Sequence, residues 1–275
     1  MKYVINAYGK INLNLYIKQK RTDGYHEISS VMHSIPLCDT VSIELCERGI
    51  SVECTNPAIP TDERNIAYKA AKRYFEEIGY RGGVKIHIEK NIPLASGFGG
   101  SSTDGAAVLL GLNKALGALR KSDLLSLAAE LSADMPFLFA ATDKSLKTYT
   151  PYCALCEGIG EIMTKKPSSI EGLFLLCTLC DKSFTSKEMY GAFDKLNKSS
   201  DTCAKAEFHN DFEEVFTCLG ADLKAVKKEL SDAKVAMLSG SGGGVFALYE
   251  SLDEAEKAKE RLQALSKWAE VYDIG

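Results

Sequence analysis

The sequence predicts a mixed α+β fold in two lobes with a cleft between them, and three observations carry that prediction. Segments with the two-residue period of strands recur among segments with helical spacing along the chain, without internal repeats or low-complexity tracts. Two glycine- and serine-rich loops, at 93–107 and 239–244, each follow a strand-like run. The chain has 275 residues, 45% of them hydrophobic, enough for one large domain or two moderate ones. The expected division is an N-terminal lobe over 1–150 and a C-terminal lobe over 151–275. Loops from each lobe would line the cleft, a usual place for ligands.

Taken in order, residues 2–6 and 11–17 read as strands joined by a link over 7–10. Residues 41–45 and 50–54 alternate, and Glu47, Arg48 and Gly49 between them predict a hairpin. Apolar residues fall at helical spacing over 65–78, and 84–88 alternates as a strand. Beyond the first glycine-rich loop, the apolar run 108–112 belongs to an Ala- and Leu-rich buried helix. Ser122 is placed to cap a helix over 123–131, which Asp134, Met135 and Pro136 break. Residues 142–152 are polar and irregular and read as a loop. In the second half, 172–179 is a buried strand, and 186–197, 210–219 and 223–230 are helices. Strands at 235–238 and 245–249 flank the second glycine-rich loop, 252–265 is a charged amphipathic helix, and 268–273 is a last strand.

Charge and hydropathy narrow the function classes. A formal net charge of −4 argues against a broad nucleic-acid surface. No apolar run reaches membrane-span length, and the apolar stretch at the N-terminus is too short for a signal peptide, so a cytoplasmic protein is expected. Nine cysteines, an odd number without export signals, do not suit a disulfide framework. Cys153/Cys156 and Cys177/Cys180 form a C-x-x-C pair of pairs at a zinc-like gap. Against zinc, a strand at 172–180 points residues three apart to opposite faces, and neither pair carries a knuckle glycine, so buried reduced thiols are the expectation.

The chemistry concentrates in residues 93–107, PLASGFGGSSTDGAA, between a strand and a helix. Gly97, Gly99 and Gly100 let the backbone turn and approach a ligand closely. The N–H groups of the first helical turn, with the positive end of the helix dipole, then face an anion such as a phosphate. Ser101, Ser102 and Thr103 add hydroxyls. No Gly-Lys-Ser/Thr ends the loop, so it is not the common P-loop, and Ser102 stands where a dinucleotide fingerprint has its third glycine. A flexible turn with a Ser or Asp cap is the plainer alternative.

Four further segments complete a pattern: 7–13 (AYGKINL) with 21–27 (RTDGYHE), 132–137 (SADMPF), 210–213 (NDFE) and 237–245 (MLSGSGGGV). With the 93–107 loop, these resemble the GHMP small-molecule kinases over nearly the full length. Gly24–Glu27 and 210–213 favour, within that superfamily, a kinase of isoprenoid precursor synthesis over homoserine, mevalonate or galactose kinases. That member phosphorylates a tertiary hydroxyl of a cytidine-diphosphate-linked polyol. The resemblance implies the two-lobed GHMP kinase fold with the active site in the cleft, ATP with Mg²⁺, and a small-molecule substrate carrying a cytidine diphosphate. It implies neither nucleic acid nor membrane as partner, and a monomer or weak homodimer.

The resemblance also implies roles. Asp134 matches the catalytic aspartate, a base for the attacking hydroxyl, and Lys10 the lysine that pairs with it. Phosphoryl transfer asks mostly for positioning and charge neutralisation, which suits such a set. Pro93, Gly97, Gly99, Gly100, Ser101, Ser102 and Thr103 would hold the ATP phosphates, with Ser102 or Thr103 near Mg²⁺. Asn65 and Lys90 match positions near the adenine pocket. Tyr25 and Tyr190 match aromatics that flank the cytosine, His26 a cytosine-recognition position, and Asn12 one near the erythritol hydroxyls. Gly240, Ser241 and Gly242 belong to the substrate side.

The chain departs from the family pattern at Ser101, where a third consecutive glycine is usual, and at Thr185–Ser186. Pro151–Tyr152 replaces a Gly-Gly pair, and 142–150 reads as inserted, with Lys144 and Lys147 in reach of a diphosphate. Three alternatives follow: a GHMP kinase for another small alcohol, a non-catalytic ATP- or metabolite-binding homologue, and a zinc-dependent module.

Overall fold

A computed structural model describes residues 1–146, 148–196 and 206–275. The chain forms two compact units, each assembled from separated stretches. Unit 1 comprises Met1–Gly9, Leu37–Pro93 and Gly99–Tyr152, and unit 2 comprises Lys10–Pro36, Leu94–Phe98 and Cys153–Gly275. Two strands carry the chain from one unit into the other, β1 (Lys2–Asn12) and β3 (His26–Cys46). β1 runs straight through the expected link at 7–10. From Ala7 onward every residue of β1 is buried, and a strand covered on both faces loses the alternation that marks a half-exposed one.

In unit 1, the later part of β3 pairs antiparallel with β5 (Gly83–Glu89), with Val41 opposite Ile88. β4 (Gly49–Cys54) pairs parallel with β5, not with β3. The hairpin expected over 41–54 is therefore corrected: β5 lies between its two arms, reached through a crossover helix, as parallel neighbours require. Gly83 makes room for this arrangement, because a Cβ there would stand 2.3 Å from the Arg48 carbonyl carbon and from the Gly49 oxygen. A turn signal reports a reversal of the chain but not which strand will fill the ladder.

The crossover helix α1 (Ile66–Ile78) buries Ala67, Ala70, Ala71, Tyr74 and Phe75, one face at helical spacing. It packs on α2 (Gly100–Leu116), whose residues from Thr103 to Leu112 are all buried. α2 comes so close to the sheet that a Cβ on Gly111 would meet Ile43 Cδ1 at 2.2 Å. α3 (Lys121–Leu131) starts before Ser122, the expected cap. Arg120 holds the N-cap position, and the Asp123 carboxylate accepts its backbone N–H at 3.2 Å. α4 (Met135–Lys144) follows at once, with Pro136 in its first turn, where the missing N–H costs nothing. It continues through 142–144, so the expected loop begins only at Ser145. Burial of Ala140, Ala141 and Thr142 against the other helices extends the helix over polar sequence.

In unit 2, β2 (Asn14–Lys20) and β6 (Cys153–Gly158) both pair antiparallel with the early part of β3. β7 (Ile162–Lys166) returns against β6. A second, antiparallel sheet has the order β10 (Val235–Leu238), β11 (Gly244–Tyr249), β8 (Phe174–Leu179), β12 (Ala269–Asp273). α5 (Ser186–Lys195), α6 (Phe212–Cys218), α7 (Leu223–Glu229) and α8 (Leu252–Ala264) complete the unit, α8 packing on β8, β11 and β12. Asn197, the expected end of α5, lies outside the described residues. The helix expected from 210 starts at Phe212, because His209 and Asn210 form the short strand β9 beside β2.

Cys153 and Cys156 lie on β6 and Cys177 on β8, in different sheets. Burial pushes the Cys153 thiol up to about 11 and the Cys180 thiol up to about 12. Among the described residues no group of three or more His, Cys, Asp or Glu is placed to hold a metal ion, and no helix is long and apolar enough to cross a membrane.

Candidate active site

The glycine-rich segment is divided between the units, and each part is explained by its neighbours. Leu94–Phe98 lies in unit 2 against the second glycine loop. Gly243 and Gly244 donate their backbone N–H groups to the carbonyls of Ala95 and Ser96, at 2.9 and 2.8 Å. The approach is tight enough that a Cβ on Gly97 would lie 2.0 Å from the Ser239 oxygen, and one on Gly242 2.2 Å from the Gly97 nitrogen. Ala95 adopts φ 52° to make the turn, a left-handed conformation unusual outside glycine.

Asn210 braces the second loop from below. Its buried amide donates to the carbonyls of Leu238 and Gly240 at 2.8 and 2.9 Å, and its oxygen accepts the Phe212 N–H at 2.9 Å. Glu213 accepts the Leu238 N–H at 3.0 Å. The 210–213 motif is thus a clamp on the end of β10. Ser241 reaches Ser186 at the start of α5, Oγ to Oγ 2.9 Å.

Lys10 is buried at the far part of β1, and its backbone N–H donates to the Phe98 carbonyl at 2.9 Å. Its amine donates to Asn12 Oδ1 at 2.7 Å, Asn12 Nδ2 donates to Ser30 Oγ at 2.7 Å, and Ser30 donates to the Asn14 carbonyl at 2.6 Å. Gly240, at φ 59°, lies over this chain: a Cβ there would stand 3.1 Å from Asn12 Oδ1 and 3.2 Å from the Lys10 amine.

A second cluster in unit 2 joins His26 and Tyr190, whose rings stack at 5.0 Å and 15°. His26 Nε2 faces Asp194 Oδ1 at 2.7 Å, and Lys20 donates to the other carboxylate oxygen. The hydrogen bond from Lys20 holds the Asp194 carboxyl below the usual range, with His26 adding to it. Tyr190 also meets Phe212 edge-on at 4.9 Å. Tyr25, next to His26, is 60% exposed.

In unit 1, Gly99 at φ 80° ends the loop and Gly100 opens α2. The first bond inside the helix runs from the Thr103 N–H to the Gly99 carbonyl, so the N–H groups before it find no partner within the helix. Ser101 is exposed, and Ser102 Oγ lies 2.8 Å from Ser132 Oγ. The buried Thr103 hydroxyl donates to the Tyr8 carbonyl at 2.8 Å. Asn65 caps α1, accepting the Ala67 N–H at 2.8 Å and donating to the Pro60 carbonyl at 2.7 Å.

Lys90 follows β5 and is buried with its amine between Asp39 and Asp104. Burial opposes its charge, but the two carboxylates outweigh that and raise its pKa. Burial and the Asp39 charge raise Asp104 well above the usual carboxylate range, against the pull of Lys90.

Asp134 holds the half-buried N-cap position of α4, and its side chain makes no capping hydrogen bond there. The segment after α4 is closed by Ser145, whose hydroxyl donates to the Thr150 carbonyl and accepts the Thr150 N–H, each at 3.1 Å. Tyr149 packs on Tyr8 and Tyr152 on Phe137. Lys144 donates to the Pro151 carbonyl at 2.6 Å. Lys147 lies outside the described residues.

Lys10, Asn12 and Gly240 come together, as do His26 with Tyr190 and Gly97 with Gly242, while Asp134, Asn65, Lys90 and the start of α2 belong to unit 1. Asp39, Asp104, Ser30 and Asp194 were not anticipated. Asp104 stood inside the glycine-rich motif, but nothing in the sequence links Asp39 or Asp194 to their partners across 51 and 168 positions.

The models for the GHMP kinases N terminal domain and GHMP kinases C terminal domain match residues 65–141 and 192–267. A Clostridium botulinum (strain Alaska E43 / Type E3) protein named 4-diphosphocytidyl-2-C-methyl-D-erythritol kinase is 35% identical over 98% of this chain and 98% of its own. A Caldicellulosiruptor saccharolyticus protein of the same name is 36% identical over 96% and 94%. A crystal structure of 4-(cytidine 5'-diphospho)-2C-methyl-D-erythritol kinase superposes over 100% of both chains at a TM-score of 0.79, with 29% identity. A mevalonate kinase crystal structure, 13% identical, shares the fold at a TM-score of 0.71 over 98% of each chain. With relatives of this similarity over 96–98% of its length, and both domain models matched in order, the chain belongs to the GHMP kinases.

Proposed function

We propose that the protein transfers the terminal phosphoryl group of ATP to the tertiary 2-hydroxyl of 4-diphosphocytidyl-2-C-methyl-D-erythritol, a step in isoprenoid precursor synthesis. The observation that carries this reading is full-length relatedness, at 35 and 36% identity, to proteins bearing that activity in their names. The geometry within each unit supports it. The start of α2 offers N–H groups and a positive dipole end to phosphates, with Ser101 and Ser102 beside them. Asp134 accepts the proton of the attacking hydroxyl, and Lys10, oriented through Asn12, neutralises charge at the reacting oxygens.

On the substrate side, exposed Tyr25 offers a ring suited to stack on a flat base, and the His26–Tyr190 pair lies in the same unit. Mg²⁺ would accompany the ATP phosphates, where Ser102, at the start of α2, has the hydroxyl chemistry to meet it. It would supply charge neutralisation on those phosphates.

The test is turnover of ATP in a coupled assay with this alcohol, wild type beside Asp134→Asn. The expected result is substrate-dependent turnover in the wild type, competition by cytidine nucleotides, and loss of turnover in the variant. A wild type that is silent with this alcohol but active on another would remove the cytidine assignment.

A further inference from the structure

Asp39, Lys90 and Asp104 form a group of buried charges in unit 1 to which the proposed transfer step itself gives no task. Their side chains are 0, 2 and 5% exposed. Charges so deeply buried are costly, and apolar residues of the same volume often serve stability as well or better, so the cluster asks for a reason other than stability.

Its position supplies one. Lys90 stands where β5 ends and the glycine-rich loop begins, and its amine donates to Asp104 Oδ2 at 2.7 Å and to Asp39 Oδ2. Asp39 uses its other oxygen to accept the N–H groups of Asn91 and Ile92, at 2.6 and 2.8 Å, and so fixes the entry to the loop. Asp104 is the fifth residue of α2, and its Oδ1 is buried without a hydrogen-bond partner among the described residues. Gly100, the first residue of α2, rests on the amine: a Cβ there would lie 3.0 Å from Lys90 Nζ and 3.0 Å from Ile92 Cγ2. A cation under a helix N-terminus opposes the helix dipole, and the paired carboxylates remove that conflict.

We infer that Asp104 is a positioning residue for the nucleotide: through Lys90 it locks the first turn of α2 to the loop entry, and neither side chain touches the nucleotide. The inference rests on the reading of that turn as the phosphate site. Anion binding by backbone N–H groups depends on their placement, and displacements near 1 Å can cost roughly a hundredfold. Lys90 then serves ATP from behind the helix and not as a contact in the adenine pocket.

The experiment measures ADP binding by titration calorimetry, and KM for ATP and for the alcohol, in the wild type, Asp104→Asn, Lys90→Met and the double variant. Each single change is expected to weaken ADP and raise KM for ATP by roughly tenfold, leaving KM for the alcohol in place. The double variant is expected to be no worse than the poorer single one, because the pair acts as a unit. If Lys90→Met weakens ADP while Asp104→Asn binds it normally, Lys90 is a direct contact and the inference falls. Should the single variants fail to fold, Asp39→Asn/Lys90→Met/Asp104→Leu, which removes all three charges and keeps an acceptor for the Asn91 and Ile92 N–H groups, is expected to fold and still bind ADP roughly tenfold more weakly. Native affinity in that variant would overturn the inference. A wild type that binds no ADP removes the phosphate-site reading itself, and this inference with it.

Discussion

Gly97 and Gly242 stand backbone against backbone, with the Gly242 Cα so close to the Gly97 nitrogen that a single added carbon would lie 2.2 Å from it. The two glycine-rich motifs, 142 positions apart in the Ser239–Gly97 hydrogen bond, are thus parts of one interlock. Gly242→Ala and Gly97→Ala are each expected to destabilise the protein by about 3 kcal/mol, from overpacking and, at Gly97, from its φ of 79° as well. Urea midpoints measure this. Gly24→Ala is the comparison, since its φ is also positive but nothing lies within 4 Å of its added carbon.

Asn210 separates structural from chemical roles in the 210–213 motif. Asn210→Ala leaves two carbonyls and one N–H short of their partner and is expected to cost about 3 kcal/mol. Asn210→Asp is expected to be worse, because a carboxylate would face the Leu238 and Gly240 carbonyls. Thermal melts of both variants check the order, and the reverse order would show that the amide does not brace this loop.

Tyr25 is open to solvent, so removing it should leave stability within about 0.5 kcal/mol of wild type. If it stacks on a cytosine, Tyr25→Ala should raise KM for the alcohol roughly 5- to 150-fold, the equivalent of about 1–3 kcal/mol of base stacking. KM for ATP should hold. Steady-state kinetics with each substrate varied in turn would settle the assignment, and an unchanged KM for the alcohol would sink it.

Asp222 sets an acid limit on unit 2. Burial works against its charge, but the bond from Lys267 and the N–H of Asp181 prevail and hold its carboxyl at about 2, below its ordinary 3.8. A folded-state pKa below the unfolded one adds stability above the unfolded value and loses it as pH falls through the folded one. The urea midpoint of the wild type should therefore fall more steeply than that of Asp222→Asn between about pH 4 and pH 2.

The cysteines offer a check on burial. Cys218 is exposed, whereas the Cys153 and Cys180 thiols are pushed up to about 11 and about 12 by burial. In native protein near pH 8, iodoacetamide should modify Cys218 well ahead of these two, read by peptide mass spectrometry. Prompt modification of Cys153 would contradict its place inside β6.

What the sequence disclosed followed the range of the interactions concerned. Helices with a clean apolar face, such as α1 and α8, and the apolar core of α2 were legible because their burial pattern is written locally. β6, β7 and the first part of β3 were not, since Cys153–Gly158 and Ile162–Lys166 lack any clear alternation and become strands by pairing with distant residues. The motif residues were found by resemblance, and their supports escaped it. Asp39 and Asp194 sit in ordinary local sequence, and only folding brings them to Lys90 and His26.

The interleaving of the two units bears on how the chain acquires its structure. The strand β8 at the centre of the second sheet waits for β12, nearly a hundred positions later, and the early part of β3 waits for β6. During synthesis, residues 10–36 emerge early and β2 can pair with β3 at once, but their remaining neighbours, β6 and β9, come more than a hundred positions later. Such long loop closures are slow. A fragment ended near residue 150 would therefore carry the unpaired edges of β2 and β3 and should aggregate, while the full chain covers them with β9 and β6.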